Sequence, residues 1–335
     1  MKQLRRYLIA SITTIGLMLA IIMAITIIAD PYHYFGTNWT GDYAGGERQL
    51  KLRNQRRYPH EGLLLGNSKI GYIDPTSLAG SRFFNAAFAG ALPEEIYYYL
   101  RQSLNKQKLV VIGFDLEMFN EGLYPHRSEK EFVAQTELSS IDQLIGWPVL
   151  RLSIKSLYRF LSGTPSHANP NGMTNIEEAF KRDRQMKALR NDPRAVKPQL
   201  VVAYNNLYRG FRFSKKRLHI LQSIRMLLDE HNIKHVVLIN PISHHVMGLI
   251  KAHNLEPALD RLRRELHRSF TNIHDFSRVA LDRPATFFSF DPVHYKPSLG
   301  KELLNGALCD FANHSDDDLR KYFKQCPAKK TNKKP

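Results

Sequence analysis

The sequence predicts an α/β protein, a three-layer sandwich with a mainly parallel sheet, preceded by one N-terminal transmembrane helix. Three observations predict it: a long apolar stretch near the N-terminus, short apolar runs bounded by turn-forming residues, and helical segments between those runs. Strands that alternate with helices over more than two hundred residues indicate a parallel sheet with helices on both faces.

The N-terminal stretch, residues 7–29, is uncharged, follows Lys2, Arg5 and Arg6, and is followed by Asp30. A membrane-spanning helix needs roughly 20 apolar residues. The positive charges before the stretch place the N-terminus in the cytoplasm. We therefore predict a single-pass protein of a bacterial inner (plasma) membrane, with its main domain in the periplasm or extracytoplasmic space. A cleaved signal peptide, whose apolar region is about 7–15 residues long, is the alternative, and it also exports the chain.

The formal net charge of +17 is the unusual feature of the composition. Such a charge is typical of a solvated basic surface, of contact with anionic lipids or glycans, or of nucleic-acid binding. The predicted export argues against nucleic acid as a partner. Two cysteines, Cys309 and Cys326, allow one disulfide or two free thiols, and both alternatives stay open. No Cys/His spacing predicts a metal site.

The remaining elements are predicted in chain order. Residues 30–59 are predicted to form a loop-rich connector. Residues 60–312 are predicted to form the α/β domain, with a helical insertion at about 118–200, and residues 313–335 a basic tail. Strands are predicted at 62–65, 82–87, 109–114, 235–240 and 273–276. Helices are predicted at about 93–104, 139–161, 175–190, 214–231, 255–270 and 299–312, and residues 281–297 are predicted to form a loop.

Polar residues that carry chemistry follow these strands. Ser68 follows the first strand and Asp115 the third, while Asp291 and His294 lie in the loop before the last helix. Ligands of open α/β sheets bind beyond the carboxyl ends of the strands, so we expect Ser68 and His294 to meet there. A serine hydroxyl needs an imidazole to take its proton and a carboxylate to orient the imidazole. Ser68 acting only as a helix cap is the alternative.

At these residues the chain resembles the SGNH (GDSL-like) hydrolase superfamily. The resemblance is carried by Gly66-Asn67-Ser68, by residues 85–90 (NAAFAG), and by residues 291–294 (DPVH), in that order. It implies Ser68 as nucleophile, His294 as general base and Asp291 as its orienting carboxylate, without a cofactor. It also implies oxyanion donors at the backbone of Ser68, at Ala87 and near Asp115, where the family has an asparagine. Asn240, after the fourth strand, is the candidate substitute for that asparagine.

The layout is similar to the membrane-anchored branch of that superfamily, which includes the D-alanyl-lipoteichoic acid D-type and the alginate-acetylation J/X-type proteins. This implies a partner, a membrane-bound O-acyltransferase, and an envelope polysaccharide as substrate. The predicted function is therefore an extracytoplasmic serine-dependent O-acyltransferase or esterase. An inactive scaffold that binds glycan or the acyltransferase is the alternative, because an ionised Asp115 would repel an oxyanion. Lys69 is predicted to lie at the surface, and attraction of an anionic substrate is the alternative.

Overall fold

The computed structural model describes residues 2–43, 47–104, 107–122, 124–136, 138–166, 168–188, 202, 205–314, 323 and 326. The chain divides into two compact units, one of Met1–Asn54 and Val133–Pro170, the other of Gln55–Phe132 and Asn171–Pro335. Of the residues predicted as the helical insertion, 133–170 belong to the first unit, and the described residues of 118–132 and 171–188 belong to the second. Most of the predicted 313–335 tail lies outside the described residues.

A five-stranded parallel sheet organises the second unit. Its strands are β1 (Gly62–Leu65), β2 (Phe83–Asn85), β3 (Leu109–Phe114), β4 (Lys234–Ile239) and β5 (Ile273–Asp275), in the order β2-β1-β3-β4-β5. All four pairings are parallel. The central strands are continuous apolar runs because both faces of a parallel sheet are covered. The predicted α/β class is thus confirmed.

Helices connect and cover the strands of this unit. They are α3 (Ser68–Gly71), α4 (Pro93–Ser103), α8 (Glu177–Ala188), α9 (Lys215–Glu230), α10 (His244–Ala252), α11 (Glu256–Ser269) and α12 (Pro297–His314). α9 buries Leu221, Ile224 and Leu228, which are spaced along one helical face, and it contacts α4 and β4. α12 packs Leu304 and Leu308 into the same apolar cluster as Leu64 of β1 and other sheet residues.

The prediction of a loop at 281–297 is wrong. The turn Pro284–Thr286 leads into two short antiparallel strands, β6 (Phe287–Phe288) and β7 (Asp291–Tyr295). Phe288, Val293 and Tyr295 are buried, and this burial holds the pair in place. Strands this short, interrupted by aspartate, proline and histidine, lack the alternating apolar pattern by which strands are recognised.

The first unit contains the N-terminal helix α1 (Lys2–Ala29). Among the described residues it is the helix long and apolar enough to cross a membrane, with a mean hydropathy of 2.5 over its best window. Its last turns contact α6 (Ser140–Ile145) and α7 (Trp147–Ser162) of the same unit. Buried Thr26 donates a hydrogen bond from Oγ1 to the Leu144 carbonyl at 2.7 Å.

The predicted loop-rich connector at 30–59 contains a helix, α2 (Glu47–Arg57). Its sequence is almost entirely polar, so it shows no apolar periodicity from which a helix could be predicted. Glu47 in its first turn and Arg56 and Arg57 in its last turn favour the helix through its dipole. A further helix, α5 (Glu129–Thr136), lies within the range predicted as the insertion.

Cys309 of α12 and Cys326 form a disulfide across 17 residues of chain. Of the two alternatives that the cysteine count left open, the structure contains the cross-link. It ties residue 326 to the last helix of the sheet-containing unit.

Candidate functional site

A sharp turn between β1 and α3 presents Ser68. Gly66 has φ +146°, and a side chain there would lie 2.8 Å from the Gly113 carbonyl oxygen, so the turn requires glycine. Asn67 caps α3 by accepting the Lys69 N–H on its side-chain oxygen at 3.0 Å. Ser68 is therefore the first helical residue, and it is half-buried at the carboxyl edge of the sheet.

His294 and Asp291 reach this edge from β7. The Oγ of Ser68 lies 2.8 Å from Nε2 of His294, and Nδ1 of His294 lies 2.6 Å from Oδ2 of Asp291. The other carboxylate oxygen of Asp291 accepts the backbone N–H groups of Val293 and His294 at 3.0 and 3.3 Å. The three side chains predicted from the sequence thus form a continuous hydroxyl–imidazole–carboxylate relay.

Tyr72 holds the imidazole from the side. Its ring meets that of His294 edge-on, with centroids 5.3 Å apart, and it also meets Phe288 of β6 edge-on at 6.1 Å. Packing of this kind restricts the ring to one orientation. Tyr72 lies four residues after Ser68, and the sequence carried no signal that distinguished it from an ordinary aromatic residue.

A buried ionic cluster lies beside the serine. Lys69 is only 2% exposed, contrary to the prediction that it lies at the surface. Its Nζ is 2.6 Å from Oδ1 of Asp115 and 2.9 Å from Oε1 of Glu117. Burial alone lowers the pKa of Lys69, but the two carboxylates outweigh it and hold that pKa above its usual range. Lys69 is therefore a charged residue of the interior that is paired with two carboxylates.

Asp115 is the hub of this cluster. Besides Lys69 on Oδ1, it accepts hydrogen bonds on Oδ2 from the side-chain amides of Asn67 and Asn240, each at 2.8 Å. Burial raises the pKa of Asp115, and the charge of Lys69 opposes that rise. Three polar contacts thus converge on one carboxylate, in a residue that is 2% exposed.

Three of the positions predicted to supply oxyanion donors, Ala87, Asp115 and Asn240, are engaged within the protein. Asp115 acts as an acceptor, and the Asn240 amide donates to it while its Oδ1 accepts from Tyr295 at 3.1 Å. The backbone N–H of Ala87 donates to Oδ1 of Asn85 at 3.2 Å. The side-chain amide of Asn85 donates to the carbonyls of Ile70 and Ile73. These hydrogen bonds connect β2 to α3 and to the residues just after it.

A small open cleft of about 140 Å³ adjoins the serine. Its lining includes Ser68, both Lys69 and Glu117 of the buried ionic cluster, and Gly90 of the 85–90 segment. Tyr124 and Leu207 also line it. Gly90 has φ +60°, and no atom lies within 4 Å of the position that a side chain would take. Its backbone is therefore open to the cleft, unlike that of fully buried Ala87.

Comparison with known proteins adds no relative to this description. No protein-family model matches the chain, and a search of curated proteins finds none similar to it. The geometry of the site is therefore the basis on which a function can be proposed.

Proposed function

We propose that the chain is a membrane-anchored protein with an SGNH-like three-layer domain, working outside the cytoplasm as a serine-dependent O-acyltransferase or esterase on cell-envelope polysaccharide. The observation that carries the proposal is the relay of Ser68, His294 and Asp291, with heavy-atom distances of 2.8 and 2.6 Å. Both distances lie within the range in which a base can take a proton from a nucleophile.

In the proposed reaction Ser68 Oγ attacks an acyl carbonyl while Nε2 of His294 takes its proton. Asp291 stabilises the imidazolium and keeps Nδ1 protonated. The imidazolium then gives its proton to the leaving alcohol, which completes an acyl ester on Ser68. A sugar hydroxyl or a water molecule attacks that ester, with His294 again as the base, and the acyl group leaves Ser68. Transfer and hydrolysis differ only in the second nucleophile.

Ala87, Asp115 and Asn240 are engaged within the protein, so the oxyanion of this reaction needs a further donor beside the predicted backbone N–H of Ser68. We assign the backbone N–H groups of Ser68 and Gly90 as candidates, because both residues line the cleft. Ser68 lies in the first turn of α3, where backbone N–H groups have no partner within the helix. Losing one oxyanion donor typically costs about 10²–10³-fold in turnover, so we expect a site with two backbone donors to turn over more slowly than one with a third, side-chain donor.

Two features support the location. α1 is long and apolar enough to anchor the chain, and basic residues precede its apolar stretch. The Cys309–Cys326 disulfide is typical of proteins outside the reducing cytoplasm.

The net charge of +17 suits an anionic envelope polymer or lipid surface as neighbour. A membrane-bound O-acyltransferase as acyl donor follows from the family resemblance alone.

Labelling with a fluorophosphonate probe tests the proposal in membranes that contain the full chain. The wild type should react at Ser68, and Ser68→Ala should abolish the reaction. His294→Ala should slow it strongly, since loss of the base of a triad costs on the order of 10⁶-fold in turnover. Ser128→Ala is the matched control, because that exposed hydroxyl bonds only to nearby Glu131 and lies outside the cleft.

The alternative is a scaffold that binds glycan or an acyltransferase without turnover. It is favoured by the internal hydrogen bonds of Asp115 and Asn240, which leave neither side chain as an oxyanion donor. A folded wild-type protein that fails to react with the probe and to hydrolyse p-nitrophenyl acetate would support this alternative. Hydrolysis by the wild type, lost in Ser68→Ala, would exclude it.

A further inference from the structure

The first unit exposes an apolar stripe on α7. Trp147, Ile154, Tyr158 and Leu161 are each at least half exposed, and Leu161 is 81% exposed. Their separations of seven, four and three residues place them on one face of the helix. Exposed apolar patches of this kind mark a surface that contacts a membrane or another protein.

The opposite face of α7 is already packed. Val149, Ser153 and Ser156 are buried on that side, and Ser156 donates its hydroxyl to Asp42 of the same unit at 2.7 Å. α6 adds Ile141, which is 69% exposed. The apolar stripe is therefore not needed for the packing of α7 within this unit.

The position of α6 and α7 along α1 indicates what covers the stripe. Both helices contact the end of α1, where Thr26 bonds to Leu144, whereas the apolar residues earlier in α1 are exposed. The 23 residues at 7–29 span about 34 Å as a helix, close to the roughly 30 Å hydrocarbon core of a bilayer. A bilayer around α1 thus ends beside α6 and α7.

The composition of the stripe favours lipid over a protein partner. Tryptophan and tyrosine, here Trp147 and Tyr158, concentrate at the membrane–water interface. Arg151 and Lys155 are exposed on the same side of α7, within one turn of the apolar residues. Their long stems allow apolar contact while their charges reach anionic head groups.

We propose that α6 and α7 lie in the head-group region of the bilayer that α1 crosses, with the stripe of α7 inserted among the lipids. This rests on the membrane-anchored part of the proposed function and is independent of the chemistry at Ser68. It also makes α1 a retained anchor, because removing it would expose the α1-facing sides of α6 and α7.

Tryptophan fluorescence tests the inference, because the chain contains only Trp39 and Trp147. Trp39→Phe leaves Trp147 as the sole reporter, and phenylalanine keeps an aromatic ring against Phe160. The full-length variant is placed in phosphatidylethanolamine–phosphatidylglycerol vesicles whose acyl chains carry bromine either near the head group or near the bilayer centre. Trp147 should be quenched by the shallow bromine more strongly than by the deep one, and soluble iodide should quench it little.

A second variant, Trp39→Phe/Trp147→Phe/Leu17→Trp, reports on the middle of α1 and should be quenched most by the deep bromine. If this reporter responds to bromine while Trp147 does not, and iodide quenches Trp147, the inference about α7 is overturned and the anchor stands. If neither reporter responds, the anchor itself fails as well. Neither result changes the fluorophosphonate test of Ser68.

Discussion

Replacing Lys69 by methionine probes the buried ionic cluster directly. Methionine keeps most of the volume but leaves the carboxylates of Asp115 and Glu117, whose side chains are 2% and 10% exposed, without their cation. Removing one partner of a buried ion pair costs about 3–5 kcal/mol, because the remaining charge stays buried without compensation. We expect Lys69→Met to lower the free energy of unfolding of the sheet-containing unit by that amount at neutral pH.

The pH dependence of this loss follows from Asp115. Burial raises its pKa, and in the variant the charge of Lys69 no longer opposes the rise. A carboxyl group whose folded pKa exceeds its unfolded value binds its proton more tightly in the folded state. Lowering the pH towards that folded pKa should therefore recover part of the stability of Lys69→Met. Adding Glu117→Gln should also recover part, because it removes one of the two unpaired charges.

The assay is urea denaturation of the full chain in detergent, followed by circular dichroism at neutral and mildly acidic pH. Lys251→Met is the matched control, because Lys251 is exposed on α10, and such substitutions usually change stability by no more than about 0.5 kcal/mol. A loss of stability in Lys69→Met no larger than in this control would contradict the prediction. So would a variant whose stability neither acid nor Glu117→Gln restores in part.

Two further predictions concern the same unit. Cys309→Ser/Cys326→Ser, or reduction of the wild type, should lower stability in urea by about 3 kcal/mol, the amount expected for a closed loop of this length; an unchanged urea midpoint contradicts this. Burial lowers the pKa of His235 below its ordinary 6.5, so its contribution to stability is complete above that value and is lost as pH falls through the folded pKa. His235→Phe should therefore weaken the loss of stability between pH 7 and 5, and equal losses in both proteins would count against the assignment.

The strands β1 and β3 could be predicted because burial on both faces makes each of them a continuous apolar run. Gly62–Leu65 and Leu109–Phe114 were predicted to the residue for this reason. The helices at Lys215–Glu230 and Glu256–Ser269 carry apolar residues at helical spacing, and their predicted ends differ by one residue. The polar helix Glu47–Arg57 carries no such pattern, so its formation depends on contacts that a sequence window does not contain.

The meeting of Ser68 and His294 could be predicted from the sequence, because their chemistry and the topology of a parallel sheet both place them at the same edge. The carboxyl ends of neighbouring parallel strands meet at one edge, so Ser68 and the segment carrying His294 could be expected there. The burial of Lys69 could not be expected, because its carboxylate partners lie 46 and 48 residues further along the chain. From the sequence alone a lysine next to a turn is expected to be exposed. Lys69 becomes buried only because folding brings the residues that follow β3 against it.

The arrangement around Asp115 suggests why an aspartate occupies the position at which a donor was expected. Asn67 and Lys69 flank Ser68 in the chain, and both side chains bind Asp115, at 2.8 and 2.6 Å. An asparagine at position 115 would keep hydrogen bonds but would leave Lys69 with only Glu117 as a counter-charge. We therefore interpret Asp115 as a positioning residue that clamps the turn on both sides of the serine. Under the proposed function, this arrangement leaves position 115 without a side-chain oxyanion donor but holds the turn that carries Ser68 in place, and backbone N–H groups would stabilise the oxyanion.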